Sequence, residues 1–127
     1  MKTNVELIST RVYAGRLKDR ENLNNSSSGG AFTALSDFFL KNGNAVVAAI
    51  YNYENHTTEF QMILDKDQRE RAKGSKYMQS KPGGIFREAY RWLMDNSGKK
   101  MLFVGMGCQS DGFRKFSEIK EIRDRVY

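Results

Sequence analysis

The sequence predicts an α/β fold: a mixed parallel and antiparallel sheet of about four to five strands, flanked by about three main helices. Apolar stretches rich in β-branched residues alternate along the chain with segments of helical apolar period. The 127 residues, 39% hydrophobic and 28% charged, have the length and balance of one domain with a real core. The longest apolar stretch, residues 45–51, is far shorter than the roughly 20 residues of a membrane span.

The first elements are predicted from local patterns. Residues 11–18 hold β-forming residues in loose alternation, which predicts a strand, and the polar residues 19–25 predict a loop. A helix is expected from near Ser28 to the pair Asn42-Gly43, which is a natural left-handed cap. Apolar residues at i, i+1, i+4, i+7 and i+8 define its predicted core face. That face consists of Ala31, Phe32, Leu35, Phe38 and Phe39.

A hairpin is predicted in the middle of the chain. Residues 45–51 form a continuous apolar run, which is typical of a strand covered on both faces. Residues 58–64 alternate, so we expect them to be its antiparallel partner with one wetter face. Asp65 is expected to cap a short charged helix that ends at Ala72. Residues 73–81 have no period and are predicted as an ordered loop.

A second helix and strand follow. Pro82 is expected to start a helix that ends by Gly98 and has the same apolar spacing as the first helix. Its predicted core face consists of Ile85, Phe86, Ala89, Trp92 and Leu93. Residues 99–105 predict a short buried strand, and residues 109–116 a weaker third helix. Residues 126–127 resemble the start of a further strand, so we expect the chain to be part of a longer protein.

Charge and cysteine content restrict the function classes. Lys and Arg outnumber Asp and Glu by 21 to 15, a net charge of +6, so the surface attracts anions. The basic residues form no single block, which disfavours a nucleic-acid partner, and a phosphate-bearing cofactor, or solubility alone, explains the charge as well. Cys108 is the only cysteine, so no internal disulfide exists. With no secretory apolar core at the start of the sequence, a cytoplasmic location is expected.

Two segments have the composition of an anion site. Residues 26–30 place serine hydroxyls and glycine amides before a helix, where an anion can bind, although a simple serine cap is the alternative. Residues 74–80 combine a cation, a ring and hydrogen-bonding groups in Lys76, Tyr77 and Gln79. That set suits a phosphate and a planar ring together, and a solvated linker is the alternative.

The third segment, residues 105–109, follows a predicted strand and contains Cys108. A helix start lowers the pKa of a thiol, so Cys108 is a candidate nucleophile or metal ligand. The only histidine, His56, lies in a predicted turn and is a poor candidate for its base. A metal site needs about four ligands, and no second cysteine is present, so a buried inert cysteine is the alternative.

At these segments the chain resembles the beta-subunit family of coenzyme F420 hydrogenases and dehydrogenases, which are iron-sulfur flavoproteins. The resembling motifs are residues 27–35, 74–80 and 102–105 and the pair Cys108-Gln109. The family commonly has Gly-Thr-Pro-Cys-Gln where this chain has Met106-Gly107 in place of Thr-Pro, which loosens the turn and removes a hydroxyl. The resemblance implies that residues 1–127 are a single α/β domain, the N-terminal portion of a longer oxidoreductase.

The resemblance also implies a function and its residues. Electrons would pass between an iron-sulfur cluster, FAD and a redox partner protein or small acceptor, with coenzyme F420 as the substrate in some members. The implied flavin-binding residues are Ser27, Ser28, Gly29, Gly30, Lys76, Tyr77, Gln79 and Ser80. Cys108 would be an iron-sulfur ligand, with its other ligands outside this chain, or would lie beside the flavin. The chain alone is therefore expected to be inactive. The alternative hypothesis is a non-catalytic basic module that binds a protein or nucleic-acid partner.

Overall fold

The computed structural model describes residues 11–127, so residues 1–10 of the predicted domain lie outside it. The described range contains helices and strands in the mixed order expected of the α/β class, which is confirmed. The elements are α1 (Arg20–Asn24), α2 (Ala31–Lys41), β1 (Ala45–Asn52), β2 (Thr57–Ile63), α3 (Lys66–Ala72), β3 (Ser80–Lys81), α4 (Ile85–Asp95), β4 (Met101–Val104), α5 (Gly107–Ile119) and a 3-10 turn, Arg123–Arg125.

The four strands form one mixed sheet in the order β3-β2-β1-β4. The predicted hairpin is confirmed, because β1 and β2 pair antiparallel, whereas β4 lies parallel to β1 with Ala45 opposite Met101. The last residues extend the sheet beyond β4, as the sequence predicts. The Tyr127 N–H donates to the Met101 carbonyl at 2.9 Å, and the Phe103 N–H donates to the Tyr127 carbonyl at 2.8 Å.

Both faces of the sheet are covered, which explains the continuous apolar run of β1. Ala45 and Val47 point into a cluster formed with α4 and α5, whereas Val46 and Ala48 point into a cluster formed with α2 and α3. All four residues are 3% exposed or less. Complete burial of a valine side chain contributes about 1.5–3 kcal/mol to stability, so the centre of the fold lies along β1.

The apolar pattern of α4 predicts its core face correctly. Ile85, Ala89 and Leu93 are 2%, 1% and 0% exposed, and Phe86 and Trp92 pack against the same cluster. The helix itself begins three residues later than Pro82, because Gly84 is its N-cap. Pro82 therefore lies in the turn that precedes the helix.

The predicted strand at residues 11–18 is wrong, since these residues form no regular structure. Residues 11–18 pack over the turn before α2 and pair with none of the four strands; the Leu17 N–H donates to the Gly29 carbonyl at 2.8 Å. The loop predicted over residues 19–25 contains α1 instead. The Asp19 carboxylate caps this helix by accepting from the Asn22 N–H at 2.8 Å.

The predicted core face of α2 is also wrong in part. Leu35 and Phe38 are 52% and 66% exposed, and the buried side of the helix consists of Thr33, Ser36 and Phe39. The Ser36 hydroxyl donates to carbonyl oxygens one turn earlier at 2.7 and 3.1 Å. Because its hydrogen-bonding need is met inside the helix, a small polar side chain can face the sheet without water.

The remaining elements differ from prediction mainly at their ends. The Asp65 carboxylate caps α3 as predicted, accepting from the Gln68 N–H at 2.8 Å, and α3 ends at Ala72. The strand predicted at residues 99–105 shortens to β4, and the helix predicted at 109–116 lengthens to α5. In the described part of the chain, every helix falls short of the length and apolar character needed to traverse a lipid bilayer.

Candidate functional site

A cavity of about 380 Å³ lies beyond the carboxyl end of β4. The pairing of β4 with β1 stops at Val104 and Ala48, but β1 continues to Asn52, so part of its edge is left free there. In open α/β sheets this is the position where ligands collect. The volume lies within the range of about 300–1,000 Å³ that is usual for small-molecule sites.

The first wall of the cavity is the serine loop, residues 26–30, together with the first turn of α2. Gly30 is the N-cap of α2, and no side chain caps the helix, so the alternative of a serine cap is wrong. The Ser26 hydroxyl instead donates to the Asn22 carbonyl at 2.6 Å. The first N–H groups of α2 are therefore left without a side-chain acceptor beside the cavity. The lining residues of this wall are Ser26, Ser27, Ser28, Gly30, Ala31, Phe32 and Thr33.

The two glycines of the serine loop have a packing role. Gly30 has φ of +80°, and a β-carbon there would lie 2.3 Å from Leu17 Cδ1. A β-carbon on Gly29 would lie 2.5 Å from the Gly15 carbonyl oxygen. Residues 15–17 therefore cross directly over this turn, and only glycine leaves room for them. Gly30 also lines the cavity, but Gly29 does not.

The second wall is the connecting loop, residues 73–79, which joins α3 to β3. Lys76 lines the cavity, and its ammonium donates to the carbonyls of Ala72 at 2.6 Å, Lys73 at 2.7 Å and Gly74 at 3.0 Å. These bonds cap the carboxyl end of α3 with a positive charge. Burial lowers the pKa of Lys76 from its ordinary value. The Lys76 ammonium, predicted to bind a phosphate, thus has an acceptor within the protein for each of its three protons.

Lys73 is a cavity residue that the sequence analysis missed. Its ammonium binds the Glu70 carboxylate at 2.8 Å and the Asn22 amide oxygen at 3.3 Å, which ties the connecting loop to α3 and α1. Arg69, only 3% exposed, forms ion pairs with Asp37 of α2 and with Glu70, each at 3.1 Å. These contacts hold α3 against α2, so the two walls of the cavity are fixed relative to each other.

The floor of the cavity is apolar. It is formed by Ala48, Ala49, Phe60 and Val104, with Ala49 directly opposite Phe60 in the hairpin register. The Phe60 ring stacks on Phe103, with centroids 5.2 Å apart and 21° between the planes. Two lysines but no aspartate or glutamate of residues 11–127 line the cavity. Apolar floor, polar walls and positive charge suit a flat ligand with a polar or anionic edge.

Five of the eight predicted flavin-binding residues line this cavity: Ser27, Ser28, Gly30, Lys76 and Ser80. The other three do not. Gly29 lies beneath residues 15–17, and Gln79 is exposed outside the lining. Tyr77 is 98% exposed and faces a second, neighbouring cavity. The serine loop and the connecting loop, far apart in sequence, nevertheless meet around one space.

The family model described as coenzyme F420 hydrogenase/dehydrogenase, beta subunit N-terminal, matches residues 12–83. This segment is more than half of the 127 residues and contains both walls of the cavity. The chain belongs to this beta-subunit family. Among the curated proteins, no sequence matches it.

A solved structure shares the fold of this beta-subunit family member. The neighbour is a chain in a study of xenon derivatization of the F420-reducing NiFe hydrogenase complex from Methanosarcina barkeri. The TM-score is 0.70 at 23% sequence identity, and the match covers 87% of the present chain and 39% of the neighbour. The present chain therefore spans less than half of the length of that relative.

Cys108 lies outside the segment that matches the beta-subunit family model. It is exposed in the first turn of α5, so the alternative of a buried inert cysteine is wrong. The adjacent Gln109 lines the cavity, and its side chain accepts from the Met106 N–H at 2.9 Å and donates to the Ser80 carbonyl at 3.5 Å. Residues 11–127 contain no group of three or more metal-ligating side chains, so they do not fit a cluster by themselves.

Some cavity residues could have been found from the sequence and others could not. Gln109 follows a predicted buried strand and stands in a motif that resembles the beta-subunit family, so the sequence did carry a signal for its position. Phe60 belongs to the hairpin, and its place on the floor follows only from the register of β2 with β1. Thr33 reaches the cavity because α2 turns Thr33 and Ser36 inward beside Phe39, which the apolar spacing does not predict.

Proposed function

We propose that the cavity binds the flavin of FAD, and that the chain is the flavin-binding part of an oxidoreductase. The observation that carries the proposal is the meeting of the serine loop and the connecting loop around an apolar floor with two lysines and no carboxylate. Membership in the beta-subunit family of F420 hydrogenases and dehydrogenases supports it.

The residues present suit an isoalloxazine ring. Its flat apolar body would lie on the floor formed by Ala49, Phe60 and Val104. The hydroxyls of the serine loop and of Ser80, with the Gln109 amide, offer both donors and acceptors to its polar edge. The uncapped first turn of α2 favours a phosphate group nearby, since unpaired N–H groups and the helix dipole both stabilise negative charge.

The bound flavin supplies the redox chemistry, because it can take up or release a hydride or single electrons. The chain's own contribution is to hold the ring against an apolar surface and to shield that face from water. We further propose a redox partner protein or a small acceptor such as coenzyme F420, since the structural neighbour is part of an F420-reducing hydrogenase complex. Cys108 is a proposed cluster ligand whose companions would come from outside the described residues.

The test is a titration of the purified protein with FAD, followed by flavin fluorescence and absorbance. Saturable binding is expected. The variant Ala49→Leu fills the floor and should raise the Kd by about tenfold or more, because an added isobutyl group occupies the position of the ring. The matched control is Ala34→Leu on the exposed side of α2, which should bind FAD normally.

Two results would contradict the proposal. One is the absence of saturable FAD binding, and the other is an Ala49→Leu variant that is folded and binds FAD as tightly as the unmodified protein. A colourless protein that binds anions with a steep dependence on salt would instead support the alternative of a basic binding module.

A further inference from the structure

The outward side of α4 carries a strip of basic and apolar side chains. Its members follow one another at i, i+3, i+4 and i+7, so they lie on one side of the helix, and the buried residues of α4 lie on the other. Both of its arginines are exposed, and its methionine is 53% exposed. The members are Arg87, Tyr90, Arg91 and Met94, and together with Lys120, which directly follows α5, they are named the basic strip.

The Tyr90 ring joins α4 to the end of α5. The exposed Lys120 ammonium lies 5.6 Å from the centroid of this ring, which is a cation-π contact. The ring also packs edge-on against Phe116, with centroids 6.4 Å apart. The half-buried tyrosine therefore holds Lys120 beside the arginines of α4, so that three cations share one surface.

The cations of the basic strip differ in their surroundings from those of α5. On α5, the Asp111 carboxylate pairs with Arg114 at 2.7 Å and with Lys115 at 3.4 Å. Within residues 11–127, no cation of the basic strip forms an ion pair or donates a side-chain hydrogen bond. Their charges are therefore available to a partner.

The two arginines of the basic strip also repel each other. Arg87 and Arg91 are one turn apart, and like charges at this spacing destabilise a helix. Glu88 and Asp95 could neutralise Arg91 by their spacing, but neither forms an ion pair with it. An acidic surface against the strip would remove the repulsion. Arginine, tyrosine and methionine are also enriched in protein–protein interfaces, whereas lysine, which the strip contains once, is depleted.

A series of packed rings links the basic strip to the floor of the cavity. Phe60 of the floor stacks on Phe103, and Phe103 stacks on Phe113, with centroids 5.2 and 4.6 Å apart. Phe113 and Phe116 are 6.2 Å apart, and Phe116 contacts Tyr90 as described. Because a close-packed core is rigid, the basic strip has a fixed position relative to the cavity.

We propose that the basic strip is the docking surface for an acidic face of the redox partner protein. Carboxylates one turn apart on the partner would pair with Arg87 and Arg91, and an apolar side chain between them would contact Met94. Complementary charge would steer the partner and fix its orientation. The acidic character of the partner follows from the strip, whereas its identity as a redox protein rests on the proposed function.

The experiment uses a labelled helical peptide with glutamates at i and i+4 on either side of a leucine. Fluorescence anisotropy at low salt gives its Kd for the unmodified protein and for the double variant Arg87→Gln/Arg91→Gln. The double variant should raise the Kd by about tenfold, because two ion pairs across the interface are lost. Added salt should weaken binding to the unmodified protein, since it screens exposed charges.

The matched control is Lys18→Gln/Arg20→Gln, which removes two exposed cations far from the basic strip in sequence. This control should leave the Kd within about twofold of the unmodified value, because the acidic peptide is expected at the strip alone. Circular dichroism establishes that both double variants are folded. An equal loss in the two double variants, or no saturable binding of the peptide, would overturn the docking surface.

Two further measurements separate the possible outcomes. A single-stranded oligonucleotide of the same charge that binds more tightly than the peptide, through the same arginines, would overturn an acidic protein partner in favour of nucleic acid. An FAD titration of Arg87→Gln/Arg91→Gln should give the unmodified Kd. If the peptide binds at the strip but FAD does not bind the protein, the flavin proposal fails and the acidic docking surface stands.

Discussion

Lys76 has a different role in the structure from the one that its residue type predicts. A lysine in a polar loop beside a serine-glycine segment predicts a phosphate ligand. In the structure its ammonium donates to three carbonyl oxygens at the end of α3 and in the connecting loop, between 2.6 and 3.0 Å. We therefore expect Lys76 to act on the cavity by holding the connecting loop in place.

Replacing Lys76 tests this structural role. We expect Lys76→Ala to lower the free energy of unfolding by about 1–2 kcal/mol, because charge-assisted bonds to partly buried carbonyls are lost. The measurement is urea denaturation, with Lys66→Ala as the control at the other end of α3. Lys66 is 67% exposed, and its contact with Asp37 is 3.9 Å long, so a change below about 0.5 kcal/mol is expected.

The opposite pattern would assign Lys76 to the ligand. If Lys76→Ala left the free energy of unfolding unchanged and yet abolished FAD binding, its charge would be required by the phosphate and not by the connecting loop. If Lys76→Ala lowered the free energy of unfolding and weakened FAD binding together, the result would agree with the structural role.

At the scale of the element, α2 and α4 have the same apolar spacing but different outcomes. The pattern of α4 coincides with its buried face, because its large residues pack against β1, β4 and α5 in one cluster. In α2, Thr33 and Ser36 face inward and Leu35 and Phe38 remain exposed. An apolar stripe therefore marks a face suited to contact, but the available space beside the sheet determines which face is buried.

Adjacent phenylalanines of α2 test its orientation. Phe39 is 7% exposed, so Phe39→Ala should cost about 3–5 kcal/mol of unfolding free energy. Phe38→Ala should cost about 1 kcal/mol or less, since it mainly loses an edge contact with Phe39 at 5.9 Å. Thermal or chemical denaturation of both variants gives the comparison. A larger loss for Phe38→Ala than for Phe39→Ala would mean that α2 buries the side that carries Leu35 and Phe38, which the structure leaves exposed.

At the scale of the whole molecule, ligand binding should be coupled to folding. The two walls of the cavity belong to segments separated by β1, β2 and α3 in the chain, and they meet only in the folded state. Unfolding therefore destroys the site. FAD at about 100 times its Kd should raise the free energy of unfolding by about 2.7 kcal/mol.

The measurement is a denaturation series at increasing FAD concentration. Ala49→Leu, with its floor filled, is the matched control, and with a tenfold higher Kd it should gain only about 1.4 kcal/mol at the same FAD concentration. An equal increase in both proteins would show that FAD acts on the molecule somewhere other than this cavity.

The local sequence pattern predicts the structure correctly where the residues that a side chain contacts are also its neighbours in sequence. The Asp65 cap, the hairpin of β1 and β2, and the inward face of α4 were predictable for this reason, because each depends on contacts within a few residues or on an unambiguous apolar run. The composition of the serine loop predicted an anion site, and the structure places this loop in the wall of the cavity. The segment at residues 11–18 was not predictable, because these residues pack over the turn at Gly29 and Gly30 and pair with none of the four described strands.

The structural features that the sequence did not predict depend on contacts between segments that are distant in the chain. The sequence identified the family, the α/β class and the two loops that form the walls of the cavity. The folded chain determined that Tyr77 faces a separate neighbouring cavity, that Lys76 caps α3, and that Phe60 forms part of the floor. The physical reason is that strand register and helix orientation arise from packing among segments far apart in the chain, which propensity and periodicity do not encode.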